Sequence, residues 1–350
     1  MQSCAPSFPA SLLAQVSRSF YLTLRVLPRR VRPQISLAYL LARASDTIAD
    51  TELVPASRRR AALGRLRERL QGGSGDLGLG DLTLAQGNPA ERTLLQRLEE
   101  PLASLAALSA ADRSLVRQVL DTITLGQDLD LARFGEATVD RITALADEAE
   151  LEDYTYRVAG CVGEFWTRLC LAHGLGVPAR VQCAQGPARA GAARDFEQPG
   201  RRFGQGLQLV NILRDLPRDL RQGRCYLPLN RLRALGLQPA DLLDPACEAP
   251  LRPLYNALLD QAVAHLADGW NYTGQIPVLA PRLRLACAWP VLLGVRTLAL
   301  LRTRNPLDPD DRVKVPRPAV RALLVRSLLF YPAPPLWRLL WREAGGQDMP

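Results

Sequence analysis

The sequence predicts an all-α protein. Leu, Ala and Arg recur at helical spacing over most of the chain, and alternation of β-branched residues is scarce. Clusters of proline and glycine separate these stretches, as connections between helices would. With 350 residues and 47% hydrophobic content, the chain can bury a sizeable core. It reads as a single helical domain over residues 1–350, without an internal repeat.

The elements are expected in the following order. An irregular entry leads into a helix from about Ser11. Pro28 and Pro33 then bracket a turn before a long helix through SLAYLLARASDTIADT. Arg58 to Gln71 forms a charged surface helix, and the glycines of residues 72–89 make a flexible connection. Helical pattern resumes over Pro89 to Ser109 and over Ala111 to Phe134, with Ser109 as a cap, and again through EDYTYRVAGCVGEFWTRLCLAHG. In that last stretch Ala159, Gly160 and Gly163 allow a close approach to the backbone, for a neighbouring helix or for a ligand. Gln185 to Arg201 is expected to be a loop, followed by a helix from Arg202 to Leu216 that Pro217 bends. Further helices are expected over Pro253 to Tyr272, over Arg282 to Arg302 and from Ala319 onward.

Composition excludes several kinds of chemistry. Seven cysteines, odd in number and without a C-x-x-C pair, support neither a disulfide framework nor a zinc site. Only His173 and His265 are present, too few for a histidine-rich metal site. The net charge of +9 suits an anionic partner. The arginines lack aromatic interleaving and any nucleic-acid-binding motif, so nucleic acid is not the expected partner. The first residues carry no basic n-region, and Leu283 to Leu301 is interrupted by Arg284, Pro290 and Arg296. A cytoplasmic protein with a buried core helix is therefore expected. The last helix, 319–345, mixes Leu, Phe and Trp with arginines, so it either closes the core or rests peripherally on the inner membrane.

The chemistry is expected at two acidic pairs. Asp46/Asp50 and Asp215/Asp219 each follow D-x-x-x-D, which puts both carboxylates on one helix face, where they repel unless a cation lies between them. Magnesium takes oxygen ligands and is often held by one or two carboxylates plus substrate phosphates, so the pairs describe a diphosphate cradle. Arg43 and Arg214 accompany the pairs, and Arg218, Arg221 and Arg224 add cations suited to phosphate. Pro217 leaves the second pair's geometry less secure than the first.

The motifs in order are S-R-S-F at Ser17, Arg18 and Ser19, then Tyr39, Arg43, Asp46 and Asp50 as Y-x-x-x-R-x-x-D-x-x-x-D. YTYRVAGCVG follows, then Gln208, Asn211, Asp215 and Asp219 as Q-x-x-N-x-x-x-D-x-x-x-D, then GRCYLP. Together they resemble the squalene/phytoene synthase family from about Ser17 to Pro228. The resemblance implies an all-α isoprenoid-synthase fold with a central cavity and magnesium-dependent head-to-head condensation of two prenyl diphosphates. It further implies that Asp46, Asp50, Asn211, Asp215 and Asp219 hold metal. By the same resemblance Ser17, Arg18, Ser19, Tyr39, Gln208, Arg214 and Arg224 contact substrate, and Tyr154 and Arg43 act in catalysis. One position before V-A-G the chain has Arg157, where animal and plant squalene synthases carry a second tyrosine. The helix carrying C-A-x-P at Cys287 to Pro290, followed by Lys314 and Arg317, is similar to the squalene-synthase pattern in which such a helix precedes a basic V-K-x-R segment that contacts the phosphates of NADPH, with one extra residue here between the two charges. The implied activity is squalene synthesis from farnesyl diphosphate. Phytoene or dehydrosqualene synthesis without a reductant, and a non-catalytic assembly protein of the same fold, are the alternatives.

Overall fold

The computed structural model describes residues 10–17, 20–331 and 333–346. The chain divides into two compact units, Met1–Glu136 with Arg168–Leu175, and Ala137–Thr167 with Gly176–Pro350.

The first unit contains α1 (Ala10–Val16), α2 (Phe20–Val26), α3 (Arg32–Asp50), α4 (Ala56–Leu70), α5 (Gly80–Ala85), α6 (Pro89–Gln96), α7 (Glu99–Ala106) and α8 (Ala110–Phe134). Its core is a packing of α3, α4 and α8. Leu37, Leu41, Ala44 and Ile48 of α3 recur every three or four residues and are fully buried, as are Leu63 and Leu66 of α4 and Val116 and Leu120 of α8. Pro33 sits in the first turn of α3, where a missing N–H costs nothing. Ser109 caps α8 as expected, its Oγ accepting the Asp112 N–H at 3.1 Å. The stretch expected as one helix from Pro89 to Ser109 is two. Pro101 cannot donate to the carbonyl four residues back, so it is accommodated only in the first turn of a new helix, α7. Residues 72–89 contain α5 and are tied to α4, where Arg65 Nε donates to the Leu77 carbonyl and Arg69 Nη1 to that of Gly75, both at 2.8 Å.

The second unit contains β1 (Thr143–Leu145), α9 (Glu148–Thr155), a π-turn (Tyr156–Gly160), the start of α10 (Cys161–Ala172), α11 (Ala179–Cys183), α12 (Gly186–Arg221), β2 (Arg224–Pro228), α13 (Leu229–Ala234), α14 (Glu248–Gln275), α15 (Pro281–Leu301), α16 (Arg317–Leu329) and α17 (Pro334–Ala344). β1 and β2 pair in parallel, Thr143 opposite Arg224 and Ala144 opposite Cys225. Gly223, at φ +78°, turns the chain from α12 into β2; a Cβ there would lie 2.4 Å from the Thr138 nitrogen.

Residues 185–201 are not a loop. α12 is 36 residues long, about 54 Å at 1.5 Å per residue, and it takes in that segment. Pro187 falls in its first turn, and the alanines that follow favour helix despite the intervening glycine. Phe196 then stacks on Tyr272 of α14 with ring centroids 4.5 Å apart, anchoring the early half of α12.

Close packing explains the small residues of the V-A-G stretch. A Cβ on Gly204 of α12 would lie 2.1 Å from the Ala159 carbonyl oxygen, and one on Gly163 would lie 1.9 Å from that of Gly200. The glycines let α12 approach the π-turn and the start of α10 at backbone distance, and that contact offsets their conformational cost.

α15 is long and apolar enough to cross a membrane, yet 67% of its most apolar stretch is buried inside the protein, as in a core helix. The expected final helix is two. Of α16 only Ser327 is buried, whereas α17 buries Trp337, Leu340 and Trp341.

Candidate active site

Each acidic pair lies in its own unit and is built differently. In the first unit, Asp46 and Asp50 occupy the last turn of α3, which has no basic residue of its own. That is the negative end of the helix dipole, an unfavourable place for two carboxylates. Arg59 of α4, itself buried, donates from Nη1 to the Ala49 carbonyl and so relieves part of this charge. Gln127 of α8 donates from Nε2 to Asp46 Oδ1. Arg43 stands 4.0 Å from Asp46 and is drawn closely onto Glu91 of α6. It is thereby held beside the pair without neutralising it.

The electrostatic result is measurable. Burial in its recess, then the charge of Asp50 one turn away, push the Asp46 carboxyl up to about 7, against the opposing pull of Arg43 and Gln127. The side chain keeps 45% of its surface open, so screening weakens the effect of burial, and repulsion by Asp50 is the contribution that survives in a water-reachable site. Tyr39 Oη of α3 lies 3.5 Å from the Val16 carbonyl of α1, and Ser17 Oγ, just past α1, donates back to the Leu13 carbonyl. Arg18 and Ser19 lie outside the described residues.

In the second unit, α12 runs unbroken through Pro217, so Asp215 and Asp219 share a face of one helix. The expected bend is absent, and Tyr255 supplies a reason. Pro217 has no N–H to give to the carbonyl of Leu213, and Tyr255 Oη of α14, fully buried, donates to that oxygen at 3.0 Å. Arg214 binds Asp215 through two hydrogen bonds, Nε to Oδ1 at 2.9 Å and Nη2 to Oδ2 at 2.6 Å, and this raises the guanidinium pKa further. Asn211 Nδ2 lies 3.4 Å from Gln208 Oε1 on the same face.

Tyr154 of α9 stacks on Tyr226 of β2, centroids 4.6 Å apart. β2 also carries Arg224, so the stack brings the tyrosine of one motif to the strand that holds the arginine of another. Tyr156, two residues on, turns instead to Glu164 at 3.2 Å and lies under the Arg201 guanidinium at 4.2 Å. Lys314 lies in irregular chain and Arg317 opens α16; both are exposed, and neither makes an ion pair among the described residues. His173 is structural, its Nε2 2.8 Å from Asp112, which also accepts from Gln34 at 3.0 Å.

The squalene/phytoene synthase family model matches residues 13–319. The chain belongs to the squalene/phytoene synthase family. It is thus a member of a family of prenyltransferases with the all-α isoprenoid-synthase fold. It is 28% identical over 311 residues to a presqualene diphosphate synthase of Rhodopseudomonas palustris, covering 88% of this chain and 92% of the relative. It is 29% identical over 310 residues to a phytoene synthase of Mycobacterium tuberculosis, covering 87% and 84%. A bifunctional lycopene cyclase/phytoene synthase of Colletotrichum graminicola is 29% identical over 77% of this chain, which spans 42% of that longer protein. Among solved structures, a ligand complex of TcSQS superposes with a TM-score of 0.73 at 21% identity, covering 97% of this chain and 90% of that one. A dehydrosqualene synthase follows at 0.62 and 22%, covering 92% and 95%.

Sequence patterns missed several residues that hold the candidate side chains in place. Glu91, Gln127 and Tyr255 come from helices remote in sequence from the segments they support, and Arg59 from the helix that follows α3. A phosphate-like motif marks none of them. Only Pro217 gave a signal, because a proline inside a helix obliges some donor to reach the carbonyl four residues earlier.

Proposed function

We propose that the protein condenses two farnesyl diphosphates head to head into the cyclopropyl intermediate presqualene diphosphate, then reduces it with NADPH to squalene. Carrying the proposal is the presence of both D-x-x-x-D pairs on unbroken helices, each with an arginine at its side. An assembly protein without chemistry has no use for that arrangement, least of all for two acids at the negative end of a helix.

Magnesium fits the donors. They are hard oxygens, and the raised carboxyl of Asp46 marks a surplus of negative charge that a dication would relieve. Among the described residues no group of three or more ligating side chains forms, which suits an ion held by one or two carboxylates and completed by phosphate and water. Asp46 and Asp50 would hold metal in the first unit; Asp215, Asp219 and Asn211 would do so in the second. Bound magnesium supplies the positive charge that weakens the bond to a leaving diphosphate.

The chain's own groups do the rest. Arg43 and Arg214 are kept charged and oriented by Glu91 and Asp215, ready to donate to diphosphate oxygens as negative charge grows on them. Tyr154 is half-buried and backed on one face by Tyr226, which supports a role in which its ring would stabilise the cation formed on ionisation. Lys314 and Arg317, exposed and without an ion pair among the described residues, would pair with the phosphates of a dinucleotide.

A second reading ends the reaction at presqualene diphosphate. It is favoured by the Rhodopseudomonas palustris relative of that name, which this chain spans almost fully, and by Pro316, which breaks the spacing of the two cations. Products formed from farnesyl and from geranylgeranyl diphosphate, each with and without NADPH, separate the readings. Squalene formed only with NADPH is expected; presqualene diphosphate under both conditions supports the second reading, and phytoene from the longer substrate overturns both. Near-normal turnover by Asp46→Asn or Asp215→Asn would refute the roles given to the pairs.

A further inference from the structure

The second unit contains a cavity of about 330 Å³ that the proposed reaction does not use. It is lined by Trp270 and Asn271 of α14, Val278, Arg284 of α15, Tyr331, and Trp337 and Arg338 of α17. Tyr255 faces Leu213 and Tyr272 faces Phe196, so α12 and α14 run antiparallel in constant register. Trp270 then lies about 25 Å along α12 from Asp215, at 1.5 Å per residue.

Arg284 dominates this cavity. It is only 9% exposed, and no carboxylate pairs with it among the described residues. Its contacts are two aromatic faces, Trp337 at 5.2 Å and Tyr331 at 5.6 Å from the guanidinium carbon. Its Nε is buried without an acceptor, and so is Nε1 of Trp337 on the same wall. Burial pulls its pKa down, although a guanidinium stays charged at neutral pH. A buried cation without a counter-ion is costly, and stacking on two rings offsets part of that cost. Two orphaned donors and a desolvated positive charge are what an oxyanion would satisfy.

The surroundings indicate what kind of anion. No acidic residue lines the cavity, and Arg338 adds a second cation at its mouth, without an ion pair among the described residues. Val278 on the rim is 51% exposed and Leu279 beside it 96%. Leu336 and Leu339 of α17 and Val325, Leu328 and Leu329 of α16 also face outward. Exposed apolar side chains next to the lining residues Val278, Trp337 and Arg338, beside a cationic, aromatic-lined recess, fit an amphiphile lying at a bilayer surface better than a free solute.

We propose that the Arg284 cavity binds the phosphate of an anionic phospholipid headgroup, with the exposed Val278, Leu279, Leu336 and Leu339 resting among the acyl chains. The site fixes the protein peripherally on a membrane at a point of the second unit separate from the Asp215/Asp219 pair, and the proposal stands whichever product the enzyme makes.

The test is flotation of the full chain with vesicles of phosphatidylcholine alone or of phosphatidylcholine with phosphatidylglycerol, beside titration with inorganic phosphate followed by tryptophan fluorescence. Binding is expected on the anionic vesicles only. Arg284→Met should weaken it about tenfold, as loss of one charge-assisted contact does, and should leave turnover of soluble substrate and thermal stability undiminished, because it removes an unpaired buried charge. Leu279→Ser should weaken vesicle binding while leaving the fluorescence response of Trp337 intact. Should Arg284→Met fail to fold, Arg284→Lys keeps the charge without the fork and is expected to bind anionic vesicles less well than wild type. Equal binding of wild type and the Arg284 variant to anionic vesicles overturns the proposal. So does a response to inorganic phosphate without vesicle binding, which would make the site one for a free anion.

Discussion

Asp46→Asn should abolish catalysis and stabilise the metal-free protein. The substitution keeps the shape and still accepts from Gln127, but it removes the charge that Asp50 and the end of α3 oppose. A carboxyl moved from 3.8 to about 7 is shifted by about 3 units, which corresponds to a ceiling of about 4 kcal/mol. With 45% of the side chain open, screening reduces that to about 1–2 kcal/mol. For 350 residues, unfolding entropy near 2 cal/mol/K per residue converts it to a rise in Tm of roughly 2 °C. The sign follows from linkage. A folded-state pKa above the unfolded one stabilises the wild type below about 4 and withdraws that stability as pH rises through about 7. The gain from Asn should therefore be full near pH 8 and close toward pH 4. Scanning calorimetry of both proteins in a chelator, at pH 8 and pH 5, measures it, and added magnesium should reverse the order by stabilising the wild type more. An Asn protein that melts at or below the wild type at pH 8, or whose advantage ignores pH, would refute the repulsion argument.

Tyr255→Phe should cost about 1–2 kcal/mol by leaving the Leu213 carbonyl buried without a donor; Pro217→Ala restores an N–H to that oxygen, so the tyrosine substitution should cost less than half as much in that background, as denaturant midpoints will show. Gly204→Ala has to displace the Ala159 carbonyl from 2.1 Å, and a loss of about 1–3 kcal/mol in thermal or denaturant unfolding is expected, whereas Gly191→Ala, with open space around it, should be neutral or slightly stabilising. Glu91→Gln removes a negative neighbour of Asp46 and frees Arg43 to turn toward it; the pH at which Asp46→Asn gains its advantage should then shift downward, measured by the same calorimetry.

Much of the fold could be read from the pattern of apolar residues. The spacing in α3, α4, α8, α14 and α15 follows from burial of one helix face, which is a local property of the chain. The failures share a cause. Gln185 to Arg201 looked like a loop because glycine and proline are weighed by their intrinsic cost, and here packing of Phe196 on Tyr272 and the approach of Gly200 and Gly204 to the V-A-G stretch outweigh that cost. The expected bend at Pro217 failed for the same reason, since the missing donor is supplied from α14. Pro101 worked the other way, splitting a stretch whose periodicity ran on.

By itself the sequence determined the helical class, the two acidic pairs and the arginines beside them, because a four-residue spacing puts side chains on one face in any helix. Tertiary structure alone decided how each pair is charged and supported. Glu91 occupies Arg43, Gln127 meets Asp46, Tyr255 completes the helix under Asp215 and Asp219, and Arg284 is left buried without a counter-ion among the described residues. These partners are far apart along the chain, and electrostatic energy depends on distance through space and on the water displaced between charges, neither of which residue order records.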